Sequence, residues 1–385
     1  MTQSLLSDDE MMLKTTARDF ADQVLDPNAA RYDESGDFPW DNVRGLAELG
    51  FLGLTVDEEY GGSGGTTRHL AIVAEEIARG CGSTSVILVA HLSLCTEFIA
   101  TFGTPDQKQQ WMPALASAET IGAFALTEPG SGSDAAAMRT TVTKNKNRYV
   151  LNGSKLFTTN AEEAGVFVVL ATHDRDQRAK GISALVVERG TDGFTINPQH
   201  GKMGMRATST AELVFEDCAV PEGALLGGER EGFTETMEIL NSSRIGIAAQ
   251  SVGLAQAAYE AAVQYAKQRE AFGKHLSDFQ GIQWTIADMA TDIEAARLLV
   301  LQAATLRDLG RPFMTAASMA KLFASRVAVE SADRAMQIHG GTGYFAPTKV
   351  ERLYRDAKVT EIYEGTSEVQ RMIISRNILN PEGQA

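Results

Sequence analysis

Cysteine is scarce in these 385 residues: Cys81, Cys95 and Cys218 are all there is, an odd number without Cys-x-x-Cys spacing. That excludes a disulfide framework and a thiolate zinc site, and it fits buried thiols in a reducing compartment. Basic runs are missing as well. Lys and Arg total 35 against 50 Asp and Glu, a formal net charge of −15, which argues against nucleic acid or an anionic membrane as partner. Unbroken apolar stretches such as Val166-Phe167-Val168-Val169-Leu170-Ala171 fall far short of the ~20 residues of a membrane helix, so no membrane insertion is expected. The six histidines show no metal-ligand spacing, and no Gly-x-Ser-x-Gly nucleophile elbow occurs. The acidic Asp8-Asp9-Glu10 start lacks the build of a secretion or mitochondrial leader. A soluble cytoplasmic protein, or a processed mitochondrial-matrix chain, is the expectation.

What is present falls into three stretches. Forty-four per cent of residues are apolar, enough for a sizeable core at a length that suggests two or three domains. Residues 1–119 read as helical. Ser7-x-x-Glu10 is a capping-box spacing, Asp26-Pro27 reads as a helix stop, and Leu70–Ala78 and Thr84–Phe102 read as buried helices ended by Gly103-Thr104-Pro105. From 120 to 232 the residues turn β-branched, in short runs separated by Asn152-Gly153, Arg189-Gly190 and Asp192-Gly193, which predicts an antiparallel barrel or sandwich. From 233 to 385 four long helical segments return, broken at Gly273, Gly310, Gly340-Gly341 and Gly365, and predict an antiparallel four-helix bundle. The fold class is α+β, helical then β then helical.

Two segments imitate a dinucleotide fingerprint, Gly130-x-Gly132-x-x-Ala135 and Gly341-x-Gly343-x-x-Ala346. Neither has the strand-turn-helix context of a pyrophosphate site, so both fail as Rossmann motifs, while their glycines still permit close approach of a phosphate. Glu364 lies between an apolar stretch and a helix capped by Gly365 or Thr366. It reads either as a helix-cap acid or, desolvated beside Ile362 and Tyr363, as a general base of raised pKa. Asn241 and Arg244 stand three apart on one helix face, suited to a polar ligand or to a solvated edge. Arg269-Glu270-Ala271-Phe272-Gly273 joins a cation, a ring and a turn at a helix end, which suits a diphosphate or an ordinary C-terminus.

Taken together, Phe124-Ala125-Leu126-Thr127-Glu128-Pro129-Gly130-Ser131-Gly132-Ser133-Asp134, Arg269-x-x-Phe272-Gly273, Gln337-x-x-Gly340-Gly341 and Ile362-Tyr363-Glu364-Gly365-Thr366-Ser367 stand in the order and spacing of the acyl-CoA dehydrogenase family. The chain resembles that family over its whole length, and most resembles its short-chain and short/branched-chain members. The resemblance implies FAD between the β region and the C-terminal bundle. Phe124, Ala125, Leu126, Thr127, Gly132 and Ser133, with Phe157, Thr158 and Thr159, would line the flavin, and Ser133 would also touch CoA. Phe157 stands where a tryptophan is common, which keeps the aromatic face without the indole donor. Arg269, Phe272, Gln280, Gln337, Ile338, Gly340 and Gly341 would reach the adenosine diphosphate of a neighbouring subunit's FAD. A homo-oligomer, a tetramer, is therefore implied. Thr366, Ser367 and Glu368 would present helix N-terminal amides to the cofactor.

Asn241, Arg244, Tyr363 and Gly365 would face the substrate, and Glu364 matches the catalytic base. Some members carry the base just before the arginine; Ser243 stands there and cannot deprotonate carbon. Asn241 replaces a frequent aspartate. The implied reaction takes a short or branched short-chain acyl-CoA to the trans-2-enoyl-CoA. Glu364 removes the α-proton, the β-hydride passes to flavin N5, and the Glu364 amide and a ribityl hydroxyl hold the thioester carbonyl. Electrons would pass on to an electron-transfer flavoprotein. The alternative on the same scaffold is an acyl-CoA oxidase or flavin monooxygenase.

Overall fold

The computed structural model describes residues 2–380. Helices come first: α1 (Asp8–Phe20), α2 (Asp26–Ser35), α3 (Trp40–Glu48), α4 (Thr67–Gly80), α5 (Gly82–Ala90), α6 (Glu97–Phe102) and α7 (Pro105–Ala116). Ser7 caps α1 as its spacing predicts, with the Glu10 amide donating to Ser7 Oγ and the Ser7 amide to Glu10 Oε2. The stop expected at Asp26-Pro27 does not occur. A π turn over Ala21–Leu25, with helical dihedrals on both sides, joins α1 to α2, and Pro27 is accommodated directly after that turn. A second π turn, His91–Thr96, joins α5 to α6 in one helix over 82–102. That helix has the length and hydropathy of a membrane span, yet most of it is buried in the core. Gly103-Thr104-Pro105 does end it. The same residues start α7, a helix not anticipated, because Thr104 and Gln107 form another capping box.

One sheet follows, built of β1 (Ile121–Ala125), β2 (Thr141–Asn145), β3 (Arg148–Thr159), β4 (Ala164–Thr172), β5 (Ile182–Glu188), β6 (Phe194–Pro198), β7 (Thr210–Pro221) and β8 (Leu225–Leu226). Its order is β6-β7-β3-β2-β4-β5-β8, with β1 also on β4. Most neighbours are antiparallel, as expected, but β4 runs parallel to β1 and, at one pair, to β2. Long connections rather than hairpins link those strands, and only long connections allow parallel pairing. Asn152-Gly153 is not a turn. It lies inside β3 at a register shift, where Gly153 has φ +138° and a Cβ would stand 2.7 Å from Thr140 Cα. Glycine serves a bulge there. The chain reverses at Lys146 instead, φ +54°. The run Val166–Ala171 is apolar throughout because β4 is covered on both faces. Val166, Val168 and Leu170 pack with α6 and α7, and Phe167 and Val169 pack with Leu213 and Phe215 of β7.

The last stretch is α8 (Gly232–Gln268), α9 (Gln280–Asp308), α10 (Met314–His339), α11 (Lys349–Lys358) and α12 (Ser367–Leu379). The four expected helices are present, and α11 is an addition hidden by its brevity. Gly273, Gly310, Gly340 and Gly365 all break helices at positive φ. α10 packs against α8, α9, α11 and α12, and α4 closes the same core from the other side.

Buried charges bind these regions together. Arg355 of α11 donates to both carboxylate oxygens of Asp33 (2.9 and 2.5 Å) and to the Met203 carbonyl (3.1 Å), joining α2, the loop before β7 and the C-terminal helices. Gly204 makes that junction possible, since a Cβ would meet the Arg355 carbonyl oxygen at 2.4 Å. Glu76 of α4, with no exposed surface, pairs with Lys14 (3.1 Å), Arg18 (3.0 Å) and Arg79 (3.1 Å). Burial alone raises its pKa, but the three cations outweigh burial and hold it below the usual carboxylate value. The stability that this pair network supplies is therefore present above that value and lost as the acid protonates. Replacing Glu76 with Ala leaves three cations around an empty site. We expect a loss of about 3–5 kcal/mol in chemical denaturation; a change below about 1 kcal/mol would remove the network from the account of stability.

Candidate active site

Glu364 sits on the short connection between a turn of 3-10 helix, Val359–Glu361, and α12. Its φ of +51° and the +96° of Gly365 put two successive residues in the left-handed region. For a residue with a side chain that conformation is strained and survives only where the surroundings enforce it. Thr366 caps α12 by accepting from the Val369 amide at 3.4 Å. The Gly365 carbonyl accepts from Lys321 Nζ of α10 at 2.8 Å and from Gln370 Nε2 of α12 at 2.9 Å. The Tyr363 hydroxyl donates to Gln250 Oε1 of α8, and Gln250 in turn donates to the Gly82 carbonyl at 3.2 Å. Three helices and the start of a fourth thus fix one turn.

The carboxyl group that this turn presents faces α8. Glu364 as a residue is half-buried, but its Oε2 is sealed from solvent and has no hydrogen-bond partner among the described residues. Burial raises its pKa to about 7; a hydrogen bond from Ser243 and the charges of Lys321 and Arg244 oppose that rise, and Glu97 adds to it. Arg244 is buried too. Its Nη1 donates to Asn241 Oδ1 at 2.5 Å while its Nε has no partner among the described residues, and burial lowers its pKa to about 10. Asn241 and Arg244 therefore do share a face, and that face looks toward Glu364. A buried acid of pKa near 7 with a free oxygen is suited to taking a proton at neutral pH.

The second group of residues lies on the sheet. The Leu156 amide donates to the Thr127 carbonyl at 2.7 Å, which sets the stretch from Phe124 to Ser133 beside Phe157, Thr158 and Thr159. Glu128 organises the loop between them. It pairs with fully buried Lys155 at 2.7 Å and accepts the Arg139 and Thr140 amides at 2.5 and 3.0 Å. Phe157 has φ +58° and is 63% exposed, an aromatic ring held clear of the core. Next to it Thr158 Oγ1 is buried without a partner among the described residues, and none of those residues comes within 4 Å of where a Cβ would stand on Gly130 or Gly132. A bare ring, an orphaned hydroxyl and open glycines fit a flat ligand that hydrogen-bonds at its edge.

Comparison with known proteins identifies the family. The N-terminal, middle and C-terminal domain models of the acyl-CoA dehydrogenase family match residues 7–119, 123–218 and 230–379. A short-chain specific acyl-CoA dehydrogenase of Clostridium acetobutylicum is 45% identical over 373 residues, covering 97% of this chain and 98% of that protein. A chain solved in work on the electron transferring flavoprotein of Acidaminococcus fermentans is 45% identical, with a TM-score of 0.95 over 97% of this chain and 98% of that one. A glutaryl-CoA dehydrogenase of Mycobacterium smegmatis, solved in complex with FADH2, is 31% identical, with a TM-score of 0.93 over 98% and 96% of the two chains. The chain belongs to the acyl-CoA dehydrogenase family. It is an oxidoreductase acting on acyl-CoA, and its cofactor is FAD.

Not every residue singled out in this acyl-CoA dehydrogenase comes near Glu364. Arg269 caps the far end of α8, 25 residues beyond Arg244, or about 37 Å at ~1.5 Å per residue. Tyr265 stacks on His339 with ring centroids 4.1 Å apart, so Arg269, Phe272, Gln337, Ile338, Gly340 and Gly341 share that distant end, with Gln280 opening α9 nearby. Ile338 is buried and the others are exposed, Phe272 at 95% with φ +53°. Thr366 and Ser367 are half-buried at the start of α12, and Glu368 is exposed. Lys321, Gln250, Gln370 and Ser243 were not anticipated as partners of the turn. The available signal was Lys321 alone among Ala317, Ala320, Ala324 and Ala328 on the buried stripe of α10.

The pH dependence follows with a definite sign. A carboxyl that takes up a proton must start ionised, so an activity that depends on Glu364 in that role should fall in kcat/KM as pH drops through about 7, by about tenfold per unit below it. A profile flat from pH 8 to pH 5 would exclude this carboxyl as the titrating group.

Proposed function

We propose that Glu364 is the base that removes the α-proton of a short or branched short-chain acyl-CoA, giving the trans-2-enoyl-CoA. The observation that carries this reading is the free, sealed oxygen of a raised-pKa carboxylate. A thioester α-proton is a very weak acid, and burial helps in two ways. It makes the carboxylate more basic, and it keeps water from competing for the proton. The Glu364 amide is assigned to the thioester carbonyl, where it holds the charge that develops as the proton leaves. Bound FAD supplies the acceptor for the β-hydride at its N5.

Phe124 to Thr127, Gly132, Ser133 and Phe157 to Thr159 are assigned to the flavin, Thr366 to Glu368 to its polar contacts, and Asn241, Arg244, Tyr363 and Gly365 to the substrate. The length class of the acyl group is supported by the relative named short-chain specific, and an electron-transfer flavoprotein as acceptor by the solved chain from Acidaminococcus. Replacing Glu364 with Gln should leave FAD and acyl-CoA binding intact and slow turnover roughly 10²–10⁴-fold. Near-normal bleaching of the flavin by acyl-CoA in that variant would overturn the assignment. A panel of acyl-CoAs in a dye-reduction assay, ranked by kcat/KM, tests the preference for short acyl groups.

The distant end of α8 belongs to the same proposal. Arg269, about 37 Å along α8 from Arg244, and the residues that share its end of the bundle are assigned to a neighbouring subunit's FAD, within a homotetramer. Support comes from the bare rings there: Phe272, Tyr344 and Phe345 are 95%, 76% and 71% exposed, more aromatic surface than a monomer ordinarily leaves in water. Replacing Phe272 with Ser should lower the flavin content of the purified protein and shift its elution toward smaller species. A wild-type monomer that retains FAD would refute the arrangement.

A further inference from the structure

One buried cation beside Glu364 has no part in the chemistry above. Lys321 exposes none of its surface, although an isolated ammonium group pays heavily for leaving water. Its Nζ donates to the Gly365 carbonyl at 2.8 Å, on the oxygen that Gln370 also grips. That carbonyl closes the two left-handed residues that aim the Glu364 carboxyl, and a Cβ on Gly365 would lie 2.6 Å from Gln370 Nε2. The strained turn therefore has two donors holding one atom, and only one of them is charged.

The charge has a direction as well. Glu364 is the foremost anion acting on Lys321; Glu361 and Glu368, on the segments flanking the turn, add to it, and Arg244 of α8 opposes it. Around Glu364 itself the charged groups are Lys321 from α10, Arg244 from α8 and Glu97 from α6, with Ser243 supplying a hydrogen bond and Tyr363 held away by Gln250. Arg244 donates to Asn241 Oδ1 and Lys321 to the Gly365 carbonyl, both neutral acceptors, so neither hydrogen bond cancels the cation's charge toward the base.

We propose that Lys321 is a positioning residue: it anchors the Glu364-Gly365 turn through the Gly365 carbonyl, and its ammonium charge keeps Glu364 ionised and ready to accept a proton. This rests on the reading of Glu364 as the base. In this reading Lys321 acts through the turn and through its charge, not by contact with the reacting atoms.

Three variants separate anchor from charge in the FAD-loaded enzyme. Lys321→Gln keeps a donor for Gly365 without the charge, Lys321→Met removes both, and Lys321→Arg keeps the charge. Two readouts apply: the acid limb of substrate-driven flavin bleaching, and the infrared band of the protonated Glu364 carboxyl, assigned by its absence in Glu364→Gln and titrated without substrate. Removing a nearby cation disfavours the carboxylate, so in the Gln and Met variants both midpoints should move up by about one pH unit or more, while Arg stays near wild type. The Met variant should bleach more slowly than the Gln variant even at high pH, because it also loses the anchor. Unchanged midpoints in the uncharged variants overturn the proposal, whether or not the rates fall. Should the Met variant not fold, the Gln variant decides alone. Failure of the base assignment looks different: bleaching would survive in Glu364→Gln, while the infrared titration would still report what Lys321 does to that carboxyl.

Discussion

A carboxyl group withheld from water is the constraint around which the rest of this enzyme is arranged. Burying an acid is unfavourable unless its charge is compensated. Here the compensation is partial: Ser243, Lys321 and Arg244 pull the pKa of Glu364 down while burial pushes it to about 7. Full compensation would leave a weak base, and none would leave a neutral acid. The intermediate value leaves the group able to take up or release a proton near neutral pH. The strained backbone belongs to the same arrangement, because the turn that aims the carboxyl inward is one that a side-chain-bearing residue does not adopt unaided.

Strain marks more than one position. Phe157, Phe272 and Glu364 each carry a side chain at positive φ, and all three lie in segments whose residues point to ligand binding. Two of them hold an aromatic ring out of the core, against the usual burial of such rings. The scaffold that sustains this cost is rigid. β4 is covered on both faces, α10 is packed against four helices, and Arg355 ties three regions of the chain at one point. Fully buried ion pairs such as Lys155 with Glu128 appear where a loop must hold its shape, here the loop beside Phe157.

Much of the fold was legible because its signals are local. The capping box at Ser7, the helix breaks at Gly273, Gly310, Gly340 and Gly365, and the β-branched stretch between two helical ones are each written within a few residues. The misreadings share a cause. Asn152-Gly153 has the composition of a turn, but the close approach of Thr140 makes it a bulge. Asp26-Pro27 has the composition of a stop, but a π turn just before it carries the helix through. The parallel pairing of β1 with β4 joins residues some forty positions apart, and no local pattern encodes it.

The site divides along the same line. Glu364, Asn241 and Arg244 could be singled out from residue type, spacing and motif order, since an acid between an apolar run and a helix start, and a polar pair three apart, are properties of the chain itself. That Glu364 has a free, sealed oxygen, that Arg244 and Lys321 are the cations facing it, and that Arg269 stands a small domain's width away were settled only by packing. Protonation equilibria answer to every charge within several ångströms, whichever part of the chain brings it there. Residue order names the candidates; which charges meet in a low-dielectric space is decided when four helices close around one turn.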